Sequence, residues 1–342
     1  MTKTSVVILN WNGRGFLAKF LPSVVKYSSL PGVEVVVADN GSTDDSIGLI
    51  ETEFPNVRLI RFQENYGFAG GYNRALKQLD SDYYVILNSD VEVTSSWLEP
   101  VINLLDSDHD IVACMPTIKD YNQRDHFEYA GACGGFIDKY GFVFCRGRLF
   151  NILESDEGQY KDTREVFWAT GACLFIRSNA FHQAGGFDER FFAHMEEIDL
   201  CWRLKNLGFK IYHTGKSEVY HVGGGALPMD HPRKTFLNFR NNLYLLYKNL
   251  PDNKFWKVFI VRFFLDGIAT LKFVVSFEFN NCFSVVKAHL SFYSSVRRFR
   301  SDRKSNLRAT IRSDHPEIYP HSIVFDFFFY KKKRFSDLFW NK

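Results

Sequence analysis

Cysteine is scarce in this chain of 342 residues, and its six copies form neither a CxxC pair nor a dense framework. That spacing argues against a disulfide scaffold and favours free thiols in a reducing compartment. Long apolar runs are also missing, since no stretch approaches the roughly 20 uncharged residues that a bilayer-spanning helix needs. The N-terminal run Ser5-Val6-Val7-Ile8-Leu9 is too short for a signal-peptide core and ends in Asn10-Trp11-Asn12-Gly13. Neither a GxGxxG nor a GxxxxGK(S/T) pattern occurs, which leaves out the dinucleotide fingerprint and the P-loop. The expected location is the cytoplasm.

What is present begins with phenylalanine: 35 copies, in a chain 46% hydrophobic and 24% charged. That balance excludes disordered, collagenous and low-complexity classes. The length suits two domains, or one large domain with an appendage. The net charge of +3 conceals an asymmetry. Residues 1–250 hold 25 basic and 31 acidic side chains; residues 251–342 hold 17 and 8, with 16 of the 35 Phe. An acidic body therefore carries a basic, aromatic tail, whose partner is nucleic acid or anionic lipid.

Short β-branched runs alternate with helical patterns through the first third. Residues 6–9, 33–38, 57–62 and 83–87 read as strands, and 16–27, 44–53 and 70–79 as helices. Such alternation predicts an α/β fold with a parallel sheet covered on both faces, where ligands bind beyond the carboxyl ends of the strands. Three successive strand ends carry polar clusters: Asp39-Asn40-Gly41-Ser42-Thr43-Asp44, then Asn65 to Asn73 with four glycines or alanines, then Asn88-Ser89-Asp90. Each loop alone is explained as a turn with an N-cap. Three on one rim are better explained as a binding site.

Asp90 is an isolated carboxylate at a strand end, and His221 an isolated imidazole before Gly223-Gly224-Gly225. A carboxylate and an imidazole, completed by diphosphate oxygens and water, suit Mg²⁺ or Mn²⁺; a structural histidine is the alternative. Glu196-Glu197 is the candidate general base. The competing explanation is an ordinary acidic first turn of a helix, but Phe191, Phe192, Ile198 and Trp202 frame the pair with apolar surface.

In this order, residues 6–13, 39–44, 65–73, 87–90, 170–172 (Thr-Gly-Ala), 185–192 (Gly-Gly-Phe-Asp-Glu-Arg-Phe-Phe), 196–203 (Glu-Glu-Ile-Asp-Leu-Cys-Trp-Arg) and His221 resemble the family 2 inverting glycosyltransferases. The rhamnosyltransferase-like bacterial enzymes of cell-surface polysaccharide synthesis are similar over about residues 3–250. The resemblance implies a GT-A fold: a mostly parallel sheet flanked by helices over residues 1–230, with a helical, membrane-associating C-terminal appendage at 231–342. It implies a UDP- or dTDP-sugar donor bound by Asn10, Asp39, Asn65, Gly67, Gly71, Asn73 and Ser89. Asp90 and His221 would hold Mn²⁺ or Mg²⁺. The catalytic group falls on Glu196, Glu197 and Asp199, where the family's Glu-Asp pair is here Glu-Glu, so either glutamate is open as the base. Trp168, Gly171, Ala172 and Arg203 would meet the donor or acceptor sugar. The Gln-x-x-Arg-Trp motif of processive synthases is missing, which favours addition of single sugars. A fold that binds nucleotide-sugar without chemistry, as a scaffold, is the alternative.

In the tail, residues 255–279 are apolar but broken by Lys257, Arg262, Asp266 and Lys272. Trp256, Phe259, Phe263, Val274 and Phe277 share a helical face, which suits either a membrane interface or packing on the body. Basic clusters at 297–300, 303–304 and 331–334 interleave with Phe325, Phe327, Phe328, Phe329, Phe335, Phe339 and Trp340. With no nucleic-acid-binding motif beside them, anionic lipid is the expected partner. The reading is a peripheral protein on the inner membrane face, acting on a lipid-linked saccharide.

Overall fold

The computed structural model describes residues 2–223, 231–338 and 340. Gly224 and Gly225 of the segment after His221, and Phe339 of the tail, lie outside them.

Strands β1 (Thr4–Asn10), β2 (Val33–Asn40), β3 (Arg58–Phe62) and β4 (Tyr83–Asn88) run parallel in the order β3-β2-β1-β4. Helices α1 (Arg14–Tyr27), α2 (Ser46–Glu53) and α3 (Gly67–Leu76) return the chain between them. Val6, Val7, Val36, Val37, Val85 and Ile86 are all buried, as strands covered on both faces require. The register sets Asn10 against Asp39 on one side of β1 and Leu9 against Asn88 on the other. The polar strand ends thereby gather on one rim.

Beyond β4 the sheet changes character. After β5 (Val91–Val93), α4 (Glu99–Ser107) and β6 (Ile111–Asp120), a small second sheet forms from β7 (Gly135–Asp138), β8 (Val143–Cys145), β9 (Arg148–Leu149) and β10 (Ile152–Leu153). The chain then re-enters the main sheet through β11 (Thr163–Glu165) and β12 (Cys173–Arg177). After α5 (Ser178–Gln183) and α6 (Glu196–Asn206) it adds β13 (Lys210–His221). Strand β12 lies antiparallel to both β4 and β6, and β13 antiparallel to β11 and β5. The expected mostly parallel sheet thus holds from β3 to β4 and is mixed beyond. The reason is that β12 starts at the binding rim, opposite Leu87, and must run back down the sheet.

The C-terminal region is helical: α7 (Pro232–Asn249), α8 (Asp252–Val275), α9 (Phe279–Ser295) and α10 (Arg300–Ala309). It then returns to the body, where β14 (Ile318–Tyr319) extends the small sheet along β7, followed by α11 (Ile323–Phe328). Phe335 is buried against Phe136, with ring centroids 5.2 Å apart. The Phe-rich tail therefore has two fates, an outer α8–α9 hairpin and an inner segment that completes a core. Among the described residues no helix is long and apolar enough to cross a membrane.

Candidate active site at the strand ends

The rim begins with Asp39, buried at the end of β2. Its Oδ2 accepts from Asn10 Nδ2 at 3.0 Å, and its Oδ1 from the Ser42 backbone N–H at 2.9 Å. Asn10 Nδ2 also reaches Ser42 Oγ, while Asn10 Oδ1 is buried with no partner. Buried acceptors are seldom left so, and this one is available to a ligand donor. Ser89 lies alongside, half-buried, its Oγ 3.5 Å from where a Cβ on Gly13 would sit.

The other expected nucleotide residues do different work. Asn65 Oδ1 accepts from Asn40 Nδ2 (3.0 Å) and from the Gly67 N–H (2.8 Å), which ties the loop before α3 to the end of β2. Gly67 has a φ of +71° and lies against Phe192, so no side chain fits there. Gly71 and Asn73 have contacts within the protein. A Cβ on Gly71 would come within 2.7 Å of a Leu9 methyl, so this glycine serves the seating of α3 on β1. Asn73 exchanges two hydrogen bonds with the Phe187 backbone, at 2.8 and 3.0 Å, and fixes the loop before α6.

Asp90 and His221, far apart in the chain, meet because β13 pairs with β5 and sets His221 opposite Val91. His221 Nε2 is 3.1 Å from Asp90 Oδ1 and 3.4 Å from Asn88 Nδ2. Its Nδ1 faces Glu128, with 3.3 Å to Oε2. Burial opposes a charge on the ring, but Glu128 and then Asp90 outweigh it and push its pKa up to about 10. Glu128 was not anticipated; a single buried glutamate in a long loop, Phe127-Glu128-Tyr129, carries no spacing signal. Glu128 lies beside Nδ1 without a hydrogen bond to it, and a carboxylate on that side of the ring favours a metal at the other nitrogen, so these residues fit a divalent cation. Among the described residues no three Asp, Glu, His or Cys side chains form a metal-holding group. The protein would supply Asp90 and His221 and leave the other positions to oxygens from substrate and water.

The loop before α6 is strained. Phe192, His194 and Met195 have φ of 66°, 70° and 73°, in the left-handed region that non-glycine residues avoid. Asn241 of α7, fully buried, holds it by donating to the carbonyls of Phe191 (3.0 Å), Ala193 (2.8 Å) and His194 (2.8 Å). The loop delivers Glu196 and Glu197 to the start of α6, each with a buried Oε2 that has no partner. Burial, then the neighbouring Glu197 charge, raises Glu196 well above the carboxylate range, and burial pushes Glu197 up to about 7. Glu197 is the more exposed of the two.

Asp199 and Arg203 are held in an ion-pair network. Asp199 is fully buried and accepts from Arg203 Nε (2.9 Å), Lys248 Nζ (2.7 Å) and Asn249 Nδ2 (2.8 Å). Burial opposes its charge, but Lys248 and Arg203 hold its pKa below the usual range. Arg203 spends its remaining donors on the Ala184 and Gly186 carbonyls. Neither is free to meet a sugar or move a proton. Trp168 is likewise a core residue, its indole N–H bound to the Phe136 carbonyl at 3.0 Å. Gly171 and Ala172 do lie at the rim: the Ala172 carbonyl accepts from the Asn88 N–H at 3.0 Å, and Gly171 lies against Phe68. Lys248 and Asn241 were missed because one lysine or asparagine in a helix gives no sign of what it reaches.

A sequence model described as Glycosyl transferase family 2 matches residues 5–185. The chain is 30% identical over 313 residues to an N-acetylglucosaminyl-diphospho-decaprenol L-rhamnosyltransferase of Mycobacterium tuberculosis (strain ATCC 25618 / H37Rv), across 86% of this chain and 94% of that one. It is 25% identical over 203 residues to the rhamnosyltransferase WbbL of Escherichia coli (strain K12), across 55% of this chain and 74% of the relative. Among solved structures, the mannosyltransferase PcManGT from Pyrobaculum calidifontis, in complex with GDP-Man and Mn²⁺, superposes with a TM-score of 0.52. That match covers 91% of this chain and 87% of the other at 13% identity, and is a likeness of fold.

Proposed function

The chain belongs to glycosyl transferase family 2, is a glycosyltransferase of GT-A fold, and from that premise we propose that it transfers one sugar, with inversion, from a UDP- or dTDP-sugar to a hydroxyl of a lipid-linked saccharide. The work would be a step in surface polysaccharide assembly, at the anionic inner face of the membrane. The mycobacterial relative's decaprenol-linked substrate supports the acceptor class.

The observation that carries the reading is the pair of glutamates at the start of α6, each with a buried Oε2 that has no partner. In this reading Glu197, ionised near neutrality, takes the proton from the acceptor hydroxyl, because a base with a pKa near the working pH combines availability with driving force. Glu196 stays protonated beside it and adds no second charge. Asp39 and Asn10 bind the nucleoside, with Asn10 Oδ1 as a free acceptor. Asp90 and His221 hold Mn²⁺ or Mg²⁺, and Glu128 fixes the imidazole. A divalent cation, when bound, offsets the charge that grows on a departing diphosphate. Asn241, Lys248, Asp199 and Arg203 keep the base in place without touching substrate.

A thermal-shift screen of UDP- and dTDP-sugars, with and without Mn²⁺, tests the donor and metal together, because a ligand of the native state raises the midpoint. A metal-dependent rise with one nucleotide class is expected. No rise with any of them sinks the donor assignment.

A further inference from the structure

Helix α8 is inverted. Two of its charged residues face inward: Arg262 and Asp266 are only 3% and 1% exposed. Arg262 donates to Asn242 Oδ1 at 2.6 Å and to Asp266 Oδ1 at 3.1 Å, and His289 of α9 lies 3.1 Å from Asp266 Oδ2. The outward side is apolar. Trp256, Ile260, Phe264, Ile268, Leu271 and Val275 recur every three or four residues and are 55–72% exposed. Phe283 and Leu290 extend the surface on α9, and Phe277 at the turn between the helices is 81% exposed. In water a helix gains by the opposite arrangement, and an apolar surface this continuous marks a partner or a membrane.

Charge selects between those two. Lys257, Lys272 and Lys287 are exposed and form no ion pair among the described residues, although Lys272 Nζ lies 5.5 Å from the Phe328 ring and Lys287 Nζ 5.6 Å from the Phe236 ring. Asp266, the one carboxylate within α8 past its first turn, is buried and paired. Unpaired cations around an apolar stripe match anionic headgroups above acyl chains, whereas a second copy would bring the same cations into repulsion. Helix α7, which holds the catalytic loop through Asn241, also packs along α9.

We infer that the outer face of the α8–α9 hairpin seats in one leaflet of an anionic bilayer without crossing it, with Lys257, Lys272 and Lys287 at headgroup level. This deepens the reading of a lipid-linked acceptor and rests on it only for its purpose.

The test is co-sedimentation of the full chain with vesicles of phosphatidylglycerol and phosphatidylcholine in equal parts, and with phosphatidylcholine alone, at physiological salt. Wild type should bind the anionic vesicles. Binding should fall about tenfold or more in Phe264→Ser/Leu271→Ser and in Lys257→Glu/Lys272→Glu, with the thermal midpoint and the nucleotide-induced shift unchanged. Wild type left in the supernatant with both vesicles overturns the inference, as does full binding by both variants. Self-association that Phe264→Ser/Leu271→Ser abolishes would assign the face to a second copy instead. Vesicle binding by a protein that shows no shift with any nucleotide-sugar supports the hairpin and overturns only the enzymatic reading.

Discussion

Helices α6 and α8 both carry buried charge, but α6 packs Ile198, Leu200, Trp202 and Leu204 into the core and leaves two carboxylates unpaired. Helix α8 pairs its buried Arg262 and Asp266 and leaves its apolar side bare. An unpaired buried carboxylate costs stability, and three left-handed residues add strain beside it. The fold meets that cost with Asn241 and with the Asp199–Lys248–Asp188 ion cluster. Less is stored at α8, where Arg262, Asp266 and His289 bond one another and only Arg262 Nε and His289 Nδ1 lack partners among the buried atoms, while the exterior is bare. Strain beside unpartnered carboxylates suits chemistry; a paired interior beneath bare apolar surface suits docking.

The contrast can be broken at several points. Glu197→Gln should lower sugar transfer by about 10²–10⁴-fold while donor binding by titration calorimetry stays as in wild type. Glu196→Gln should keep most activity, and the opposite result would move the base to Glu196. Lys248→Met leaves Asp188 and Asp199 short of a buried cation and should cost about 3 kcal/mol in denaturant unfolding; an unchanged midpoint would show the cluster to be dispensable. Asn241→Ala should cost about 1–3 kcal/mol and depress kcat more than KM, because the base moves while the donor rim does not.

A smaller effect concerns pH. The transferring form of Glu197 is the ionised one, so the rate should rise about tenfold per unit below pH 7 and level off above it. The stability sign is opposite. Folding raises the pKa of Glu197, so its contribution to stability is present at acid pH and is lost as pH climbs through about 7, and Glu196, raised well above the carboxylate range, acts with the same sign. A flat rate profile between pH 5 and 8 would remove Glu197 as the base. The least effect belongs to α8: Phe264→Ser should shift stability by less than about 0.5 kcal/mol, against about 2–5 kcal/mol for Leu245→Ala in the core of α7. A large loss at Phe264 would mean that its face is already packed.

Much of the first half was readable before any fold was seen. The first four strands and three helices lie within a few residues of their periodicity-based ranges, because buried parallel strands and amphipathic helices write their burial into local composition. Asn10, Asp39 and Asp90 were readable as polar residues stranded at strand ends. The buried partners of Trp168 and Arg203 were not readable, because motif position does not say which way a side chain turns. The C-terminal return was invisible, since Ile318 and Tyr319 look like any short apolar pair until β7 is there to receive them.

Residue order settles what is available to this protein: a parallel half-sheet, a polar rim, two adjacent glutamates, and a basic tail rich in phenylalanine. Those properties are local, written by side-chain type and spacing. Folding alone decides what meets. Strand pairing brings His221 to Asp90 across 131 residues and Glu128 to the same imidazole. Packing of α7 turns Asn241 and Lys248 into supports for α6. Burial splits two like carboxylates into one kept neutral and one poised near 7, because their pKa values depend on the dielectric and charges around them and not on their identity.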